Sequence, residues 1–133
     1  MRIYTRKVSK QSQGKRSDLN DKYFRSSWEA NYARILNFLQ RNKQIHKWEY
    51  EPDTFWFEKI KRGTRSYTPD FKIWDKEDSE PHYIEIKGWM DTTSQTKLRR
   101  MKKYFPHIKV TLIQQREYNT LKRQMKGWIR NWE

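Results

Sequence analysis

The sequence predicts an α/β (α+β) fold, a mixed β-sheet flanked by helices in the order αββββαβα. Three observations point there. Apolar residues recur at helical spacing early in the chain, at Trp28, Tyr32, Ile35, Leu36 and Leu39. Short runs rich in β-branched and aromatic residues follow, divided by charged or Gly/Pro punctuation. The last third reads as helix, strand, helix, with Pro106 ending the first of these helices. A chain of 133 residues suits one domain. Its core must lean on aromatics, since seven Trp, eight Tyr and six Phe accompany scarce Leu, Ile and Val.

Each element has a local reason. Residues 1–20 are polar, basic and aperiodic (Lys10-Gln-Ser-Gln-Gly-Lys-Arg-Ser17), so they read as a flexible basic arm. Residues 21–133 then form a single domain. Ser26 with Glu29 three residues later is a capping-box pattern at the head of the first helix. Ile45–Glu51 alternates as a strand does, Pro52 breaks it, and Phe55–Ile60 reads as a second strand. Arg62-Gly63 is a turn. Ser66–Phe71 and His82–Gly88 read as two further strands. The short polar linker Asp75–Glu80 makes an antiparallel hairpin their simplest connection. A helix begins at Asp91 or Ser94 and runs to about Tyr104, Ile108–Ile113 is a buried strand, and a final helix starts near Glu117. That helix packs Tyr118, Leu121, Met125, Trp128 or Ile129, and Trp132.

Charge narrows the function. The net charge is +14, and it is unevenly spread. Residues 1–25 hold eight Lys/Arg against two Asp, and residues 93–133 hold eleven against two Glu. The middle, 26–92, holds eleven Lys/Arg against twelve Asp/Glu. Two basic flanks around a carboxylate-bearing centre attract a polyanion, so DNA is the expected partner. Neither flank shows a membrane-binding apolar face, so no membrane partner is expected. With no Cys, no apolar run of membrane-spanning length and no signal-peptide core, a cytoplasmic protein is expected.

The candidate chemistry lies on the hairpin. Side chains alternate along a strand, so Glu85 and Lys87 share a face. If Asp70 faces them from the neighbouring strand, two carboxylates and an ammonium converge. Asp70 and Glu85, with the Ile86 carbonyl, could hold Mg²⁺, with Mn²⁺ as a substitute. Lys87 would then orient or deprotonate a water, or steady the phosphate. Glu29 has two readings, a helix cap or a further carboxylate of this site. Lys97, Arg99, Arg100, Lys102 and Lys103 are either a solvated helix face or a phosphate-contacting one. Trp89 could stack on unpaired bases, whereas Trp56 reads as core. His46, His82 and His107 sit at no metal-ligand spacing, and no Gly-rich phosphate loop exists.

Tyr67-Thr-Pro-Asp-Phe71 followed by Ile84-Glu-Ile-Lys-Gly-Trp89 resembles the PD-(D/E)XK nuclease superfamily. With Phe24-Arg-Ser-Ser-Trp-Glu29 and Trp48-Glu-Tyr-Glu51, the order over residues 24–89 is similar to the phage endonuclease I group, which resolves branched DNA. The resemblance implies a restriction-endonuclease-like core and catalytic roles for Glu29, Asp70, Glu85 and Lys87. It also implies metal dependence and nicks leaving 5′-phosphates in a bacterial or phage-infected cell. Cutting both strands takes two sites, so a homodimer is one expectation and a nickase the other. A site-specific phage or transposon-type endonuclease and a non-catalytic nucleic-acid-binding module are the alternatives.

Overall fold

The computed structural model describes residues 13–133. Its elements are β1 (Gly14–Arg16), β2 (Lys22–Phe24), α1 (Ser27–Arg41), β3 (Lys47–Tyr50), β4 (Phe55–Trp56), β5 (Ser66–Tyr67), β6 (Phe71–Trp74), β7 (His82–Ile86), α2 (Thr92–Tyr104), β8 (Val110–Ile113) and α3 (Gln115–Met125). The main sheet has the order β3-β6-β7-β8. The β6–β7 hairpin is antiparallel, as the short acidic linker suggested, and α2 carries the chain across to β8, parallel to β7. The mixed α+β architecture expected from the sequence is therefore present. Among the described residues, no helix is long and apolar enough to cross a membrane.

Two apolar clusters divide the interior. Alternation along β6 and β7 turns Phe71, Ile73, Ile84 and Ile86 into the larger one. There they meet Ile35 and Leu36 of α1 and Tyr118 of α3. The smaller cluster joins Phe57, Tyr67 and Met101, with Phe55, Leu98, Phe105 and Val110 against them. It holds α2 to the β4–β5 ribbon. Trp28 stacks on Tyr118 at 4.1 Å between ring centroids and lies against Gly88, where an added Cβ would come within 3.4 Å of the indole. That packing ties the first turn of α1 to the end of β7.

Several boundaries differ from the sequence reading. Residues 14–20, expected in a flexible arm, belong to the β1–β2 ribbon and its 3₁₀ turn. Arg16 and Leu19 are buried, and the Arg16 guanidinium donates to both carboxylate oxygens of Glu133, at 3.0 and 2.9 Å. The rest of that arm, residues 1–12, lies outside the described residues. The strand expected over Phe55–Ile60 is only Phe55–Trp56 and leaves the main sheet to pair with Ser66–Tyr67. Trp56 is 57% exposed, so it is not core. The strand expected over Ser66–Phe71 is split. Pro69 has no N–H to give a ladder, and the chain passes there from the ribbon to β6. The final helix starts earlier than expected, because Gln114 and Glu117 form its capping box. Trp128 turns outward and Ile129 takes the buried position.

Candidate metal and nucleic-acid site

The break at Pro69-Asp70 creates the site. The register opposes Tyr50 to Phe71 and Phe71 to Ile84. Asp70 therefore falls between Glu51, one residue past β3, and Glu85 on β7. Glu51 takes a left-handed backbone, φ 48°, and donates its N–H to the Asp70 carbonyl at 2.8 Å. The Ile86 N–H donates to Asp70 Oδ2 at 2.7 Å, which fixes that carboxyl. Helix α1 points its first turn at the same place. There Ser26 Oγ accepts from the Glu29 N–H at 3.1 Å and donates to Glu29 Oε2 at 3.2 Å. The Tyr50 hydroxyl donates to Glu29 Oε1. Glu29 thus serves the cap and the cluster together.

Carboxylate oxygens of Glu29, Glu51 and Asp70 lie within 4.8 Å of one another. Glu85 stands outside that trio, and the Tyr67 hydroxyl donates to its Oε1 at 2.8 Å. Glu29, Asp70, Glu85, Ile86 and Lys87, with Arg25, Tyr67 and Lys97, line one cleft of about 280 Å³. Burial, then the charges of Glu85 and Glu29, push the Asp70 carboxyl up to about 9. Burial raises Glu85 too, against the Tyr67 hydroxyl and the Lys87 ammonium. Burial raises Glu51, with Arg25 opposing. The Tyr50 and Tyr67 hydroxyls are raised, chiefly by burial, so both stay protonated donors. The cluster's own partners therefore do not neutralise four ionised carboxylates, and the Asp70 carboxyl keeps its proton unless a cation replaces it. The cluster's donors are all oxygen, the set that suits a hard divalent cation.

Of the residues expected from sequence, Glu29, Asp70, Glu85, Ile86 and Lys87 converge. The basic residues of α2 do not share one face. Lys97 lines the cleft. Arg99 and Lys102 line a separate groove with Pro106, Lys109 and Leu112. Arg100 is turned to the Thr64 carbonyl, and Lys103 lies over the Tyr104 ring at 5.3 Å. Trp89 is 78% exposed just beyond Lys87. Sequence reasoning left Glu51 out of the site. The signal was its place at the end of an alternating strand that pairs with the Asp70 strand. Tyr50, Tyr67 and Arg25 carried no such signal, because their roles arise from contacts distant in sequence.

A family model described as "Protein of unknown function (DUF1064)" matches residues 9–123, most of the chain. No curated protein and no solved structure matches it.

Proposed function

We propose that this chain, which belongs to the DUF1064 family, is a metal-dependent DNA endonuclease of the PD-(D/E)XK type. One arrangement carries the reading: four carboxylates, Glu29, Glu51, Asp70 and Glu85, gathered with Lys87 at the break between β5 and β6. Ionising these carboxyls together in a half-buried cleft is unfavourable, and a cation bound among them would offset that cost in place of the Asp70 proton. Glu29, Glu51 and Asp70 would hold the ion, with Glu85 and the Ile86 carbonyl on the adjoining wall. Bound there, Mg²⁺ or Mn²⁺ supplies a polarised water and neutralises charge on the phosphate.

The chain's own residues are fixed before substrate arrives. The Ile86 N–H orients Asp70, Tyr67 orients Glu85, and Tyr50 with Ser26 orients Glu29. Lys87 presents its ammonium to the same cleft, where it can hold the attacking water or a phosphate oxygen. The net charge of +14 supports a polyanionic substrate. The resemblance to the endonuclease I group supports branched or nicked DNA, 5′-phosphate products and a homodimer.

The test is supercoiled plasmid with and without chelator. Relaxation in Mg²⁺ and in Mn²⁺ is expected, lost in Asp70→Asn and Glu85→Gln while DNA binding persists. A panel of duplex, nicked, flap and four-way DNA sorts the substrate. Bound but uncut DNA across that panel in both metals would leave a non-catalytic binding module instead.

A further inference from the structure

We infer that the groove beside the acid cluster, walled by Lys22, Tyr23, Arg25, Tyr50 and Glu51, is a subsite for one unpaired nucleotide of a DNA strand, its base stacked on Tyr23 and its phosphate on Arg25. The inference rests on the nucleic-acid reading above and adds which kind of strand lies next to the cluster. The groove measures about 380 Å³, within the range of small-ligand sites. Arg25 and Glu51 join it to the metal cleft. Arg25 lines both spaces, and Glu51 is at once a wall of the groove and a member of the carboxylate trio. A backbone leaving the cluster on this side therefore passes the Arg25 guanidinium, which is 70% exposed and 3.5 Å from the Glu51 carboxylate.

The recognition chemistry follows from the side chains. Tyr23 is 51% exposed, so a ring face is open to a flat partner. Its backbone is held by pairing with Lys15 in the β1–β2 ribbon, and its hydroxyl donates to Gln13 Oε1 at 3.4 Å. Lys22 also lines the groove, but its ammonium lies over the Trp48 ring at 5.2 Å, which leaves Arg25 as the cation for the phosphate. An aromatic face beside a cation is how proteins take unpaired nucleotides. A base inside a duplex has both faces covered by its neighbours and cannot stack on Tyr23. A single exposed tyrosine would be unremarkable on its own. The argument lies in its joining a groove, a cation and the acid cluster in one continuous track.

The experiment reads binding, with Ca²⁺ present and no Mg²⁺. A gapped duplex carries 2-aminopurine at one unpaired position, and a control duplex carries it paired. We expect the wild-type chain to quench the unpaired probe and to leave the paired one unchanged. Tyr23→Ala should abolish the quench and weaken binding of the gapped DNA by about tenfold or more. Tyr23→Phe should restore both, and all three chains should melt alike. Equal quenching by wild type and Tyr23→Ala, equal affinity of the two for gapped DNA, or no binding of either DNA would overturn the proposal. Binding with quench but no cleavage in Mg²⁺ would remove the endonuclease reading and leave this subsite standing. Cleavage with no dependence on Tyr23 would do the reverse.

Discussion

Asp70→Asn should stabilise the metal-free protein at alkaline pH and sharply weaken its response to Mg²⁺. The Asp70 carboxyl, held up to about 9 by burial and by Glu85 and Glu29, would ionise near 4 in an unfolded chain. Between those values the folded protein keeps a proton that the unfolded one has released. Stability is therefore fully present below the unfolded value and declines as pH rises through the window. The slope from this one group is at most ~1.4 kcal/mol per pH unit. From pH 6 to pH 8 that amounts to ~2–3 kcal/mol, or roughly 6–12 °C in melting temperature for a chain of this size. Asparagine keeps an acceptor for the Ile86 N–H and carries no charge. Its amide nitrogen gains no obvious partner, so the net benefit at pH 8 is about 1–3 kcal/mol.

The assay is urea unfolding of both chains in EDTA from pH 5 to pH 8, repeated in Mg²⁺. Comparing the two chains cancels the titrations of groups away from the cluster. The wild-type curve should fall with pH and the variant's should be flatter, the two crossing at about pH 6–7. Mg²⁺ at a hundred times its dissociation constant should raise the wild type by about 2.7 kcal/mol and the variant by much less. Parallel pH slopes would show that Asp70 does not bear this repulsion, and equal stabilisation by Mg²⁺ that it does not hold the ion.

Three further outcomes follow from the same geometry. Glu29→Gln keeps the Ser26 cap, so its melting temperature should stay within about 3 °C while plasmid relaxation falls by about a hundredfold or more; near-normal relaxation would return Glu29 to the cap alone. Lys97→Gln should lower the log–log salt slope of DNA binding by about one, whereas Arg100→Gln, which loses the Thr64 carbonyl, should chiefly lower the melting temperature; the opposite pattern would contradict the split faces of α2. Arg34 is 6% exposed and bridges Asp18, Asn31 and Glu133, so Arg34→Met should destabilise by ~2–4 kcal/mol in a denaturant titration, the partly wet carboxylates softening the loss. Asp18 and Glu133 are held below their ordinary range, Asp18 by hydrogen bonds from Arg34 and Glu133 by those from Arg16 and Arg34, both against burial. Their contribution is lost as pH falls through those lowered values, and the variant should show less of that acid loss.

What the sequence made legible is local. The capped helix at Ser26, the β6–β7 hairpin and the Glu85/Lys87 alternation each depend on residues a few positions apart. The β1–β2 ribbon escaped because nothing in Gly14–Phe24 alternates in hydrophobicity. It is held by Arg16 on Glu133, across 117 positions of chain, and by burial of Leu19. The two-residue strands β4 and β5 are too short to carry a period, and Trp56 on them is exposed because the ribbon stands off the main sheet. On α2, spacing alone showed five cations but not that Arg100 is spent on Thr64 while Arg99 and Lys102 face another groove.

The way Glu29 reaches the cluster explains why its role could not be read from the capping box. A cap fixes only the first turn's backbone. The helix is tied down through Trp28, whose ring stacks on Tyr118 of α3 and lies beside Gly88, just past β7. Gly88 lies beside that ring, and so the chain that runs from Glu85 through Lys87 also positions the helix that carries Glu29. Tyr50 completes the constraint from β3, meeting Phe71 with its ring and Glu29 with its hydroxyl. Four elements thus fix one carboxylate. Aromatic packing of Trp28, Tyr50 and Phe71 helps hold the carboxyl groups of Glu29, Glu51, Asp70 and Glu85 in one place.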